Sequence, residues 1–171
     1  MDEDERKIIK SIKIYRMRLT VGDKAPDFSL YSSEKKEVNL KDYADKNLVV
    51  LFFPLAFTGV CTTELCSIRD NYNQYEKLNA EVLAISVDSP FVLEKFKEQE
   101  SYNFPLLSDF NKDVSRSYGA LYNEFVMGMK EVSKRSAFVV DKKGTIRYAE
   151  VLENAGELPN FAAIDNVLKT L

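Results

Sequence analysis

Histidine is missing from all 171 residues, and that gap removes whole classes of chemistry. Cys-His proteases, histidine general acid–base catalysis, histidine-ligated haem and most zinc sites each lose a required residue. Cysteine is scarce, with two in the chain, so a usual structural zinc site cannot be assembled. No apolar stretch approaches the ~20 residues of a membrane span, and no membrane association is expected. Lys and Arg total 24 against 27 Asp and Glu, a net charge of −3, which offers no basic face for nucleic acid. Met1 to Lys10 holds no apolar core followed by a small-residue cleavage site, so no secretory signal is expected. The expected compartment is the reducing cytoplasm, where a cysteine pair is more often catalytic than structural. No internal repeat or low-complexity region interrupts the chain, whose length suits one domain with a substantial core.

What is present centres on Leu48 to Leu78. The apolar run Leu48-Val49-Val50-Leu51-Phe52-Phe53 ends at Pro54 and reads as a strand buried on both faces. Beyond it, Cys61, Leu65, Ile68, Tyr72 and Tyr75 keep a four–three spacing that puts them on one stripe of a helix. Cys61 is therefore expected in the first turn of a helix leaving a central strand. Unpaired N–H groups and the positive end of the helix dipole there stabilise a thiolate and bind polar oxygen. Cys66 falls beside Arg69, Asp70 and Asn73, off the apolar stripe and nearer the polar side. Five helical residues advance about 7.5 Å and turn about 500°, whereas a disulfide needs Cα atoms roughly 4.4 to 6.8 Å apart. The two cysteines can bridge only if the first turns unwind; two unrelated thiols, one buried and one exposed, satisfy the spacing equally well.

Pro54, Thr58 and Cys61 reproduce a Pro-x-x-x-Thr-x-x-Cys pattern, with Glu64 three residues after the cysteine. This resembles the peroxiredoxins, thiol-dependent peroxidases on a thioredoxin-like fold. The Cys61-x-x-x-x-Cys66 spacing is similar to the bacterioferritin-comigratory-protein (PrxQ) branch, while Phe57-Thr58-Gly59-Val60-Cys61 looks more like the AhpE-type branch, many of whose members have one of the two cysteines. The resemblance runs from about Val21 to the C-terminus.

Residues 1–18 form a charge-dense extension, expected to be mobile, and 19–171 a single domain. Because Met17 directly precedes a segment that looks like the usual peroxiredoxin beginning, a misassigned start for the first sixteen residues is a hypothesis. Pro26–Leu30 and Lys36–Leu40 read as an N-terminal hairpin around Ser32-Ser33-Glu34. A helix from about Cys61 to Leu78, a strand over Glu81–Val87 and a helix capped at Asp88-Ser89-Pro90 follow. Then come a brief strand at Pro105-Leu106-Leu107, a short helix over Asp113–Tyr118, a loop over Met127–Lys134, a hairpin of Ser136–Asp141 with Thr145–Val151, and a closing amphipathic helix over Phe161–Leu171. The fold class is α/β: a central mixed sheet with helices on both faces and an N-terminal β-hairpin, thioredoxin-like by resemblance.

The resemblance implies roles for named residues. Cys61 would be the peroxidatic thiolate, and the N–H groups of Val60 and Cys61 donors to the substrate oxygen. Thr58 would reach sulfur and peroxide with its hydroxyl, although alone it reads as an N-cap or a local turn. Pro54 would shield the sulfur without offering an N–H, although alone it is a strand terminator. Arg135 matches the arginine beside the reactive sulfur, where a guanidinium favours the thiolate; without the motif it is a solvated neighbour of Lys134. Glu64 would orient the arginine, or merely suit the first turn of a helix. Oxidised Cys61 would become a sulfenic acid, with Cys66 the internal thiol placed to resolve it and a thioredoxin or glutaredoxin-like protein the reductant. No cofactor is needed. The AhpE-like features suggest a homodimer, whereas similarity to the other branch permits a monomer. A general disulfide reductase would show Cys-x-x-Cys, against the four-residue gap here, and a redox-sensing or binding module without turnover would use the same two cysteines.

Overall fold

The computed structural model describes residues 2–6 and 18–171. The extension at 1–18 falls mostly outside the described residues, so its expected mobility has no counterpart here; Arg18 pairs with Glu153 at 2.9 Å.

Seven strands form one mixed sheet: β1 (Ser29–Ser32), β2 (Glu37–Asn39), β3 (Asn47–Phe52), β4 (Ala80–Ser86), β5 (Leu106–Ser108), β6 (Ser136–Val140) and β7 (Ile146–Val151), in the order β2-β1-β5-β4-β3-β6-β7. β3, β4 and β5 run parallel, and the remaining pairings are antiparallel. The parallel steps are bridged by helices α1 (Gly59–Asp70), α2 (Tyr72–Lys77) and α3 (Pro90–Glu100); α4 (Asp113–Ser117) follows β5, and α5 (Phe161–Leu168) closes the chain.

Every residue of β3 is buried, as an unbroken apolar run in a central strand requires. Its side chains alternate between two cores. Val49, Leu51 and Phe53 meet Leu65 and Ile68 of α1, Leu93 and Phe96 of α3, and Ile164 and Leu168 of α5. Leu48, Val50 and Phe52 meet Val114 of α4, Tyr118, and the 3-10 turn over Leu40–Tyr43 on the opposite face. Helices thus cover both faces, the thinner layer being the α4 side. The N-terminal hairpin pairs Ser29 with Asn39 and Tyr31 with Glu37. Ser32 belongs to its first strand rather than to the turn, and its hydroxyl accepts from the N–H groups of Glu34 and Lys36 at 3.2 and 3.3 Å.

The helix expected from Cys61 to Leu78 differs in two ways. It begins two residues earlier, at Gly59, and it breaks at Asn71. Asn71 leaves the helical region at φ −110° and ψ 14°, and its side chain donates to the Ser67 carbonyl at 2.8 Å beside its own N–H at 3.2 Å, closing α1 with a local bond before α2 begins. The apolar stripe survives the break, with Cys61, Leu65, Ile68 and Tyr75 all buried. The closing helix ends at Leu168, three residues short of the expected Leu171.

Candidate active site

β3 delivers the chain to Pro54 at its C-terminal edge, the position where open α/β sheets expose their loops. The Ala56 N–H donates to the buried-side carboxylate of Asp88 at 2.8 Å, and the Ser86 hydroxyl donates to the same Asp88 oxygen at 2.7 Å. This tether from the β4 end fixes the turn, in which Phe57 adopts a left-handed φ of 62° and packs on Phe96 with centroids 4.9 Å apart. Thr58 is the N-cap of α1, but its hydroxyl donates back to the Leu55 carbonyl at 2.8 Å and makes no capping bond. The first-turn N–H groups of Gly59, Val60 and Cys61 thus receive no side-chain cap from it.

Cys61 is the third residue of α1 and is 1% exposed. An Nη of Arg135 donates to its Sγ at 3.3 Å across 74 residues of sequence. Arg135 precedes β6 and is itself buried; its Nε and one Nη donate to the Ala155 carbonyl at 3.1 and 2.9 Å, and its other Nη forms an ion pair with Glu64. The guanidinium is thereby held flat between a carbonyl, a carboxylate and the sulfur, the geometry for which arginine is suited and lysine is not. Burial works against its charge, but Glu64 and Cys61 outweigh that, and Arg135 stays above its ordinary value. Glu64 is fully buried, and burial lifts its carboxyl to about 7, with Arg135 pulling it down and Glu150 pushing it up.

A cavity of about 530 Å³ opens over the sulfur, lined by Pro54, Thr58, Val60, Tyr122, Phe125, Val126 and Arg135 among others. Proline forms its wall without a competing N–H. Thr58, Val60, Cys61, Pro54 and Arg135 therefore meet at one cavity, and Glu64 lies behind Arg135.

Cys66 is not brought to this place. Both cysteines are free thiols. Cys66 is half-buried at the edge of the core rather than on a polar surface, with its Sγ donating to Glu100 at 3.8 Å and 3.9 Å from the Tyr102 hydroxyl. The placement corrects the polar-side expectation: the C-terminal end of α3 covers that flank of α1. Sequence reasoning also missed Asp88, Ala155 and Glu100. Asp88 sits beside a helix-capping serine and reads as part of the cap; Ala155 contributes a backbone oxygen, which no side-chain pattern reveals.

Residues 21–149, which hold both cysteines and Arg135, match the family model described as AhpC/TSA family. The chain belongs to the AhpC/TSA family. Within it, the chain is 41% identical to alkyl hydroperoxide reductase E of Mycobacterium tuberculosis over 143 residues, covering 82% of this chain and 90% of that protein. It is 36% identical over 162 residues to a chloroplastic 2-Cys peroxiredoxin of Spinacia oleracea, covering 88% of this chain but 58% of the relative, so it spans little more than half that protein's length. Among solved structures it is similar to a peroxiredoxin-like protein from Aquifex aeolicus, with a TM-score of 0.80, 28% identity, and coverage of 90% and 88%. It is likewise similar to peroxidoxin BcpB from Mycobacterium tuberculosis, with a TM-score of 0.76, 27% identity, and coverage of 90% and 96%. AhpC/TSA membership and these neighbours account for the thioredoxin-like sheet.

Proposed function

We propose that this AhpC/TSA chain is a thiol-dependent peroxidase that reduces hydrogen peroxide and organic hydroperoxides, with Cys61 as the attacking thiolate. The reading is carried by one observation: a cysteine in the first turn of a helix, at a cavity, with a buried guanidinium 3.3 Å from its sulfur. The thiolate attacks one peroxide oxygen; the S–O bond forms as the O–O bond breaks, sulfur is oxidised to sulfenic acid, and the departing oxygen leaves as water or alcohol after gaining a proton. Arg135 and the N–H groups of Val60 and Cys61 stabilise the charge that moves onto oxygen. The Thr58 hydroxyl turns from the Leu55 carbonyl to the bound peroxide, and Pro54 keeps water from the sulfur. Tyr122, Phe125 and Val126 give the cavity an apolar side that suits an alkyl group.

Cys66 then condenses with the sulfenic acid, releasing water and forming a disulfide that a thioredoxin or glutaredoxin-like dithiol reduces. This step requires α1 to unwind between the two cysteines. Residues 19–171 form the working unit, as a monomer or homodimer, and the cytoplasm is the proposed compartment.

The test is turnover of hydrogen peroxide and an alkyl hydroperoxide by wild type, Cys61→Ser and Cys66→Ser with a thioredoxin system. Loss of activity in Cys61→Ser and a Cys61–Cys66 cross-linked peptide in oxidised wild type are expected. Full activity in Cys61→Ser overturns the assignment, and one stoichiometric oxidation without turnover replaces the enzyme by a sensor.

A further inference from the structure

The active-site sulfur shares its cation. Arg135 contacts the Cys61 sulfur with one Nη and the Glu64 carboxylate with the other, and all three side chains are essentially inaccessible to water. If Cys61 and Glu64 were both ionised, two negative charges would face one positive charge in a dry interior, leaving an uncompensated buried charge. Glu150 on β7 adds further negative potential at Glu64, and it is itself held by the Tyr148 hydroxyl and the Asn160 N–H at 2.9 Å each. Glu64 also carries an irregularity that the ion pair does not explain: its Oε1 is enclosed and has no hydrogen-bond partner among the described residues. A buried carboxylate oxygen so placed is costly as an anion and much less so when it bears a proton.

We propose, building on Cys61 as the peroxidatic residue, that Glu64 holds a proton while Cys61 is a thiolate and surrenders it when Cys61 becomes a neutral sulfenic acid. The cluster then keeps one anion against one guanidinium throughout. With hydrogen peroxide the balance is Cys61 thiolate, Glu64 carboxylic acid and HOOH giving Cys61 sulfenic acid, Glu64 carboxylate and water. Sulfur loses the electron pair that the peroxide oxygens gain, and the proton lost by Glu64 equals the one gained by the departing hydroxide. Arg135 remains protonated and keeps both contacts, the Glu64 carboxylate replacing the thiolate as its counter-ion. Glu64 does not touch the sulfur; it acts through Arg135 and is a positioning residue with a titration of its own. The lift of its carboxyl to about 7 by burial places that titration where the reaction runs.

The decisive measurement is an infrared difference spectrum between reduced protein and protein oxidised by one equivalent of hydrogen peroxide. It uses Cys66→Ser, so that oxidation stops at sulfenic acid, at pH about 7.5, just above the Glu64 value of about 7, where a neutral sulfur lets the carboxyl ionise and a thiolate on the same guanidinium keeps it protonated. The expected result is loss, on oxidation, of a carbonyl stretch from a protonated carboxyl that moves in deuterium oxide and with 13C-labelled glutamate. The glutamate label identifies the band without any substitution at Glu64. In a second readout, weakly buffered Cys66→Ser takes up about one proton fewer per sulfenic acid than Glu64→Gln/Cys66→Ser. Addition of one oxygen to Cys61 by mass with no such band lost, or equal proton uptake in the two variants, overturns the proposal while leaving the peroxidase reading intact. No oxygen on Cys61 overturns that reading, and the Glu64 proposal with it.

Discussion

The Cys66 thiol donates to the Glu100 carboxylate at 3.8 Å, tying the middle of α1 to the last residue of α3. The tie is reinforced where the Asn103 side chain donates to the Arg69 carbonyl at 3.3 Å. Resolution by Cys66 must break this contact before the helix can unwind. Glu100→Ala removes one such bond, worth about 0.5–1.5 kcal/mol, and disulfide formation after peroxide addition is expected to become roughly 2- to 10-fold faster. Quenched-flow trapping of the Cys61–Cys66 peptide reads the rate; an unchanged or slower rate in Glu100→Ala would show that the tie is not a barrier.

Arg135 is expected to matter twice. Arg135→Met removes the donor on the Cys61 sulfur, and loss of one preorganised donor of this kind costs about 10²–10³-fold in rate. It also removes the cation that pulls the Glu64 carboxyl down, so Glu64 stays protonated to higher pH in Arg135→Met, and the stability lost is that of the guanidinium's bonds to Glu64 and Ala155, about 1–3 kcal/mol. Arg135→Lys keeps the charge but cannot meet Ala155, Glu64 and Cys61 at once, so its rate should fall most of the way with Arg135→Met. Peroxide-competition rates and thermal midpoints of both variants check this, and a fully active Arg135→Lys would mean that charge alone suffices.

The parts of this site that read directly from the chain are those built from local pattern. β3 declares itself because Leu48 to Phe52, buried on both faces, is an unbroken apolar run, and Cys61 is placed by the stripe it shares with Leu65 and Ile68. The break at Asn71 was hidden, because an asparagine in a helical period gives no sign of whether its amide will turn onto the Ser67 carbonyl. Glu64 reads as an ordinary first-turn glutamate, and its complete burial becomes visible only when β6 brings Arg135 across from 71 residues away. Cys66 looks polar on the wheel of its own helix; that α3 lies over it is a tertiary fact. Long-range contacts through a backbone carbonyl, as at Ala155, leave no trace in side-chain order.

Asp88 holds the loop before Thr58 by accepting from the Ala56 N–H at 2.8 Å, and it also accepts from the Ser86 hydroxyl. Asp88→Ala leaves that amide and hydroxyl without their partner, at a cost of about 1–3 kcal/mol, and frees the turn in which Phe57 is held at positive φ. Asp88→Asn retains an acceptor of similar shape. Asp88→Ala is therefore expected to be less stable to denaturant and slower with peroxide, and Asp88→Asn close to wild type. Equal peroxide rates in wild type and Asp88→Ala would detach the loop from the chemistry.

Glu64 predicts how stability changes with pH. Its carboxyl lies at about 7 in the folded chain against an ordinary value of 4.5, chiefly through burial. Between these values the folded state binds more protons than the unfolded state, so stability falls as pH rises. The contribution is fully present below about 4.5 and is lost as pH passes through about 7. At one pKa unit per 1.36 kcal/mol, the loss across the window is about 3 kcal/mol. Glu64→Gln stays neutral at every pH and removes this slope, so the difference in unfolding free energy between Glu64→Gln and wild type should move in favour of the variant from pH 5 to pH 8. Urea unfolding across that range measures it. A difference that stays constant, or moves the other way, would mean that Arg135 holds Glu64 ionised throughout and that burial does not govern its proton.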